Sequence, residues 1–558
     1  MRPIARLNAR HWCKTRASLL ALLLFTQAHA ERPNFLVILA DDLGYSDIGA
    51  FGGEIETPNL DALAENGIQL THFHTATNCS PTRAMLMTGT DNHLVGLGNM
   101  AERMEFGTPQ YRDYPGYEGY LNPSLLTLPE RLRDAGYRTY MAGKWHLGLE
   151  DDTSPRAFGF ERSFSMLEGA AGHLNQMRAV PHSEHEKALY RADGELTNVP
   201  EDFYSSRVFA RKLIEFLRAD EGSDQPFFAY LAFTAPHWPL QAPDESIAKY
   251  GGVYDAGYEE AFAERLARQK ALGLIDESVQ GQPLAPSAKR WRDLSASERK
   301  QSAKAMEIYA AMVDDMDRYI GEVIHTLKDM NVLDSTVILF FSDNGADAGS
   351  PLRIPEFEAL ADACCDNSLE NMGKADSYVT YGPNWARVSS APSLYFKSNT
   401  TQGGILSPAI LHYGRADARI ERYGEFLSVL DVAPTLLDLA GISTESGERN
   451  GKTALPFKGA SMASPFQGDH SPVHPEGYWM GWELGNHRAI RMDDWKLVMT
   501  QPPWGEGEWK LYNVREDPSE STDLSETQPQ IFAMMLEKWE EYVAENGVAL
   551  LEDDTQES

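Results

Sequence analysis

Three short runs of almost unbroken apolar residues limit what this chain can fold into. They are Asn34–Ala40 (NFLVILA), 226–234 (PFFAYLAFT) and 336–341 (TVILFF). Each is too short to cross a bilayer, and none alternates polar with apolar residues as a half-exposed strand does. Such runs are strands covered on both faces, which calls for a largely parallel sheet with helices packed on either side. Each run also ends in chemistry: Asp41-Asp42-Leu43-Gly44, Ala235-Pro236-His237-Trp238-Pro239 and Ser342-Asp343-Asn344-Gly345. In open α/β sheets, ligands collect beyond the carboxyl ends of the strands.

The rest of the chain supplies the helices. Thr57-Pro58-Asn59-Leu60 starts one with a capping residue and a first-turn proline, and Gly67 stops it. A second runs from Thr127 to Gly136. A strand over 137–141 follows and leaves through Gly143-Lys144-Trp145-His146-Leu147-Gly148. Over 304–328 the residues Met306, Tyr309, Met312, Val313, Met316, Ile320, Val323, Ile324 and Leu327 recur at helical spacing. Asp314, Asp315 and Asp317 are expected on the wet face of that helix. Residues 431–440 read as a capped helix. The stretch 150–225 is mixed, and 244–302 reads as polar loop and surface helix. Beyond about residue 480 the pattern changes. Residues 489–492 and 495–499 form a hairpin, 509–514 a further strand and 530–546 an amphipathic helix. The expected fold class is α/β: a large mixed, mostly parallel central sheet flanked by helices, plus a small C-terminal antiparallel sheet with a packed helix. The expected division is an α/β domain over 31–480 and a small α+β subdomain over 481–558.

The first thirty residues read as a signal peptide. Arg2, Arg6, Arg10, Lys14 and Arg16 precede an apolar run over 17–25, and Ala28-His29-Ala30 is a small-x-small cleavage site. Export to the periplasm or medium is the expectation, with no membrane insertion of the mature chain. Losing five cations and no acid there moves the formal charge from −32 to −37. A chain so acidic repels nucleic acid and anionic membranes. It also repels an anionic substrate at long range, so a local cluster of cations must do the binding. The mature chain keeps Cys79, Cys364 and Cys365. Adjacent cysteines provide no ordinary staple between distant segments, so stability must come from the core.

The chemistry-bearing residues fall into a few stretches. In Asn78-Cys79-Ser80-Pro81-Thr82-Arg83 a cysteine stands just before a helix that Gly89 stops. A helix N-terminus offers free N–H groups and a positive dipole end to an anion, and Arg83 adds a fork matched to tetrahedral oxyanions. A buried structural cysteine beside a helix cap is the other reading. Asp41 and Asp42, then Asp343 and Asn344, place oxygen donors at two strand exits. Singly each reads first as a solvated turn; on neighbouring strands they could converge on one hard cation. Lys144 and His146, bracketed by glycines, can address one ligand. His237 is held between prolines and titrates near neutrality, which suits a general acid. Trp145, Trp238 and Trp385 either wall an apolar leaving group or anchor loops in the core.

In order along the chain, Asp-Asp-Leu-Gly (41–44), Cys-Ser-Pro-Thr-Arg (79–83), Gly-Lys-Trp-His-Leu-Gly (143–148), Ala-Pro-His-Trp-Pro-Leu (235–240), Ser-Asp-Asn-Gly (342–345) and Thr-Gln-Gly-Gly-Ile (401–405) resemble the type I sulfatases, bacterial arylsulfatases in the alkaline phosphatase superfamily. Lys-Leu-Tyr-Asn-Val (510–514) resembles the family's C-terminal strand. Two positions depart from the common pattern, Gln402 for Glu and Thr90 for Arg, and both bear on substrate choice if they reach the site. The resemblance implies hydrolysis of aryl or alkyl sulfate esters. It implies that Cys79 is oxidised by a formylglycine-generating maturation enzyme, and that Ca2+ is bound by Asp41, Asp42, Asp343, Asn344 and residue 79. The hydrated aldehyde would attack sulfur, with Arg83 stabilising the hydrate. Lys144 and Lys397 would neutralise sulfate oxygens, and His237 with Lys397 would protonate the leaving alcohol. His146 would then take the proton that lets sulfate leave. The rivals are a phosphonate monoester or phosphodiester hydrolase of the same superfamily, and a non-catalytic binder of sulfated glycans.

Overall fold

A computed structural model describes residues 32–551 apart from 182–184, 282–283, 285–287, 350–353 and 417–419. The segment 1–30 expected to be a signal peptide lies outside the described residues. The three apolar runs are β1 (Asn34–Ala40), β7 (Phe227–Ala232) and β8 (Thr336–Ser342). With β2 (Ile68–His74), β3 (Arg138–Lys144), β4 (Arg162–Met166), β5 (Tyr190–Ala192), β6 (Glu195–Thr197), β9 (Leu406–Tyr413), β10 (Arg422–Tyr423) and β11 (Leu427–Ser428) they form one sheet. Its order is β10-β2-β9-β8-β1-β7-β3-β4-β5-β6, with β11 also on β2. The central run β8-β1-β7-β3-β4 is parallel, and β9 runs antiparallel to both β8 and β2.

Why β1 is apolar throughout is visible in its neighbours. Leu36, Ile38 and Ala40 face one core, shared with the helices Ser205–Ala219 and Ala296–Asp329. Phe35, Val37 and Leu39 face another, shared with the helices Cys79–Thr88, Leu128–Asp134 and Val432–Leu439. The period of two thus sorts one run into two cores, as a doubly covered strand requires.

The long helix Ala296–Asp329 corrects one expectation. Asp315 and Asp317 are buried, not on a wet face. Asp317 caps the helix Pro58–Glu65 from outside: its carboxylate accepts the Leu60 N–H at 2.7 Å and the Asn59 N–H at 3.1 Å. Asp315 accepts the Tyr204 hydroxyl at 3.0 Å. Helix starts need external acceptors for their free N–H groups, and here a neighbouring helix supplies one.

After a two-strand ladder, β12 (Gly447–Arg449) with β13 (Lys452–Ala454), come β14 (Trp479–Leu484), β15 (His487–Met492), β16 (Trp495–Met499) and β17 (Trp509–Asn513). They make a four-stranded antiparallel sheet in that order. One face packs on the helix Pro529–Asn546 through Ile490, Leu497, Leu511, Met535 and Trp539. The other face sends Trp482, Ala489 and Val498 into the main core. Cys364 and Cys365 are bonded to each other, which closes no loop of useful length. Among the described residues no helix is long and apolar enough to cross a membrane.

Candidate active site

Because β8, β1, β7 and β3 are consecutive neighbours, their carboxyl ends span only about 15 Å at the ordinary strand spacing. Four of the sequence stretches therefore leave the sheet on one rim. Asp41 and Asp42 leave β1, His237 follows β7, Asp343 and Asn344 follow β8, and Lys144 ends β3 with His146 just beyond. The Cys79–Thr88 helix points its start at the same rim, with Cys79 as its first residue rather than the residue before it. Lys397 arrives from a loop whose Lys397 and Ser398 N–H groups donate to Ala346 and Thr77 carbonyls. The doubled glycine after Gln402 has a steric cause: a Cβ on Gly403 would lie 2.1 Å from the Tyr395 carbonyl oxygen and one on Gly404 2.0 Å from that of Asn399. A Cβ on Gly345 would lie 1.8 Å from the Gly403 carbonyl oxygen, so the two loops touch backbone to backbone.

The polar atoms form one buried cluster. Cys79 Sγ lies 3.3 Å from Asp41 and 3.7 Å from Asp42. Lys144 Nζ donates to both Asp41 oxygens at 2.9 and 2.7 Å, and Lys397 Nζ to both Asp42 oxygens at 2.7 and 2.8 Å. Arg83 donates through Nε and Nη2 to Asp343 at 3.0 and 2.6 Å, and through Nη1 to the Lys144 carbonyl. Asn344 Nδ2 donates to Asp42 at 2.7 Å. Three carboxylates are thus matched by three cations before any ligand arrives. Asp42 and His146 both hold left-handed backbone, φ 66° and 57°, a conformation that costs about 1–3 kcal/mol and persists where surrounding structure enforces it.

Burial shifts the acid–base groups apart. It pushes the Cys79 thiol well up, with Asp343 adding to it. It raises Asp41 to about 7 against the pull of Lys144. Burial would raise Asp343 as well, but Arg83, Lys144 and Lys397 hold it below the usual carboxylate range. Burial, reinforced by Lys397 and Lys144, drives the His237 ring well down. Its Nδ1 donates to the Trp238 carbonyl at 2.6 Å, and Nε2 faces Asp42 at 3.3 Å. His146 is likewise lowered by burial, partly offset by Glu102. Its Nε2 meets Glu102 at 3.2 Å, while its buried Nδ1 has no partner.

The donors suit a divalent cation. Ligand atoms of Asp41, Asp42, Cys79 and His237 lie within 4.8 Å of one another. The buried Asn344 Oδ1, next to that group, has no hydrogen-bond partner, as a carbonyl oxygen reserved for a cation would not. The set expected from sequence overlaps this group at Asp41, Asp42 and Cys79. Asp343 lies outside this group, with Oδ2 accepting from Arg83 and Oδ1 accepting the Asp42 N–H at 3.2 Å, which leaves Oδ1 a second lone pair for an ion.

The cluster floors a cavity of about 360 Å3. Trp238, Phe357, Met100, Val180 and Trp504 give it apolar walls. Of the three tryptophans weighed from sequence, only Trp238 reaches this cavity. Trp145 and Trp385 are fully buried anchors, donating to the Thr153 carbonyl and the Ser302 hydroxyl. Gln402 and Thr90 do not line it either. Gln402 is buried against Lys496 and His74, so its exchange for Glu has a structural setting. Sequence reasoning missed Glu102, a single acid in an unpatterned stretch. It also missed Asp347, which accepts from Trp238 Nε1 at 2.8 Å and sits 3.4 Å from Lys397. The signal for Asp347 was its position four residues after Asp343.

Comparison with known proteins agrees with this geometry. The family model described as Sulfatase matches residues 33–442, and the N-sulphoglucosamine sulphohydrolase C-terminal model matches 395–545. An uncharacterized sulfatase of Schizosaccharomyces pombe is 43% identical over 535 residues, 95% of this chain and 96% of its own. An arylsulfatase of Klebsiella aerogenes is 40% identical over 467 residues, 81% of this chain and 96% of its own. Among solved structures, Ps i-CgsB in complex with k-i-k-neocarrahexaose aligns with a TM-score of 0.65 at 23% identity over 94% of this chain and 96% of that one. The phosphonate monoester hydrolase of Agrobacterium radiobacter aligns with a TM-score of 0.53 at 19% identity, covering 92% and 96%. Those two likenesses speak for the fold alone. On the family match and the identity to the two sulfatases, the chain belongs to the sulfatase family, the sulfuric ester hydrolases of type I within the alkaline phosphatase superfamily.

Proposed function

We propose that the protein hydrolyses small aryl or alkyl sulfate esters with residue 79 oxidised to formylglycine and Ca2+ held by Asp41, Asp42, Asp343 and Asn344 together with residue 79. The observation that carries this reading is the contact of Cys79 Sγ with two carboxylates at a helix start, beside the unpartnered Asn344 Oδ1. Hard oxygen donors favour Ca2+ over softer ions. When present, the ion would polarise the sulfate and the hydrated aldehyde would supply the nucleophile.

This chain's own residues account for the remaining steps. Lys144 and Lys397 already hold charged ammonium groups at the rim, and an incoming sulfate competes with Asp41 and Asp42 for them. Arg83, locked on Asp343, keeps a fixed positive charge beside residue 79. His237 has its Nδ1–H committed to Trp238 and, as a neutral ring, carries a lone pair at Nε2; the proton for the leaving alcohol therefore comes from the charged Lys397 ammonium, relayed through His237 Nε2. His146 Nδ1 carries a free lone pair in the cavity that residue 79 also lines, and we assign it the proton that residue 79 gives up. The apolar walls receive the organic group. Maturation requires an enzyme that oxidises Cys79. Residues 1–30 direct export to the periplasm or medium, and the mature chain neither inserts into membranes nor binds nucleic acid. We assign catalysis to residues 31–480 and a supporting role to 481–558.

The test is peptide mass spectrometry of residue 79 combined with rates on para-nitrophenyl sulfate and an aryl phosphodiester. The expected result is an aldehyde at 79, faster sulfate release than phosphodiester cleavage, and loss of turnover in a folded Cys79→Ala variant. An unmodified thiol in active enzyme, or retained turnover in the variant, rejects the aldehyde. A preference for the phosphodiester assigns the chain to the rival chemistry.

A further inference from the structure

The three cations around Cys79 are each matched by a carboxylate. A fourth cation of the same cavity is not. Arg103 follows Glu102 on the short helix Ala101–Phe106, and its side chain lines the cavity. Among the described residues its guanidinium donates no hydrogen bond and enters no ion pair. The acid that bears on it is Glu483, whose charge is committed elsewhere. Glu483 accepts the Asn486 N–H at 2.8 Å and the Tyr111 hydroxyl at 3.4 Å, and lies 3.5 Å from His93 Nε2. The fork lies against the turn at Gly485, where a Cβ would come within 2.8 Å of Arg103 Nη2. Beside it, His487 lines the same cavity. Its Nδ1 accepts the Gln501 N–H at 3.4 Å, so a neutral ring carries its proton on Nε2. Burial and the neighbouring Arg103 keep that ring neutral, its pKa pushed down to about 3.

A part-buried guanidinium with no hydrogen-bond partner among apolar walls leaves its donors unused in the free protein, and an oxyanion that reaches it supplies the missing partner. Arginine's planar fork fits a carboxylate or sulfate with two parallel bonds. We propose that the preferred substrate is a small sulfate ester carrying a second anionic group, a carboxylate or another sulfate, which Arg103 and His487 bind while the ester faces residue 79. This deepens the sulfatase reading of the cavity and rests on it.

Sulfonates, which resemble the ester but are not hydrolysed, separate the two claims. Calorimetry on the full-length protein compares benzenesulfonate, para-carboxybenzenesulfonate and para-benzenedisulfonate. The expected result is about tenfold or greater tighter binding of one or both dianions than of benzenesulfonate. In Arg103→Met that advantage disappears, and in Arg103→Lys part of it returns. Which dianion gains identifies the second group as carboxylate or sulfate. Equal affinities for all three ligands in the unaltered protein overturn the proposal, as does an advantage that survives Arg103→Met. The wild-type comparison decides even if a variant fails to fold. Equal affinities together with sulfate release from para-nitrophenyl sulfate reject only the role of Arg103, whereas absence of any sulfonate binding rejects the cavity as the sulfo-group site.

Discussion

At His146 the proton has one place to sit. Burial would raise the Glu102 carboxyl, but the His146 ring beside it overrides burial and holds it at about 2. Glu102 is therefore ionised at neutral pH and can only accept, which puts the hydrogen on His146 Nε2 and leaves the buried Nδ1 as a lone pair. The pair is closely fitted: a Cβ on Gly169 would lie 2.8 Å from His146 Nε2 and 2.9 Å from Glu102 Oε1. Glu102 is thus a positioning residue for the proposed base. Glu102→Gln can present an N–H in place of an acceptor and frees the ring to turn or to change tautomer. We expect kcat to fall about ten- to a hundredfold while KM changes less than about threefold, and Glu102→Asp to restore part of it. Steady-state rates on para-nitrophenyl sulfate check this; an unchanged kcat would exclude the role.

At the scale of elements, much was legible because the apolar runs obey simple rules. β1, β8 and the 58–65 helix lie within one or two residues of where apolar continuity, Pro58 and Gly67 put them, and the rim was legible because polar residues follow each run. The Ser205–Ala219 helix was not read, although Phe209, Leu213, Phe216 and Leu217 fall on one buried face. Its five interspersed basic and acidic residues and the unpatterned segment before it hid that spacing. The antiparallel direction of β9 between β8 and β2 depends on pairing that no local pattern encodes. Asp317 was misread for a related reason: a helix position looks wet in sequence when its partner is another helix start 257 residues away. Asp317→Ala leaves two N–H groups of the Pro58–Glu65 helix without acceptors. A loss of about 2 kcal/mol is expected, read as an earlier midpoint in urea unfolding with an unchanged slope. A midpoint equal to the parent's would show that solvent satisfies that helix start.

Across the whole molecule, a buried polar knot ties the segment after the Cys79–Thr88 helix to the C-terminal sheet and helix. His93 Nδ1 bonds Asp91 at 2.7 Å, its Nε2 lies 3.5 Å from Glu483 on β14, and the Tyr542 hydroxyl donates to Asp91 at 3.0 Å. Burial would lower the His93 pKa, but Asp91 and Glu483 override it and raise it to about 9. A folded-state pKa above the unfolded value of about 6.5 means the charged ring stabilises the fold fully below that value, and the contribution is lost as pH rises through about 9. The melting temperature should therefore fall between about pH 7 and pH 9.5, and fall less in His93→Gln; parallel curves for the two proteins would remove His93 as the cause. The same whole-molecule view bears on how substrate arrives. The chain carries a formal charge of −32, while the cations that would bind a sulfate lie buried at the rim, each beside a carboxylate. Seen from a Debye length away, the protein is an anion facing an anion, and only at contact does the local field change sign. Salt screens the first effect far more than the second, because buried pairs are poorly screened. Raising ionic strength from about 0.01 M to about 0.1 M shortens the Debye length from about 30 Å to about 10 Å. With para-nitrophenyl sulfate well below KM, kcat/KM should rise about two- to fivefold over that range while kcat stays level. A kcat/KM that falls with salt would mean that exposed positive potential, not the net charge, governs approach.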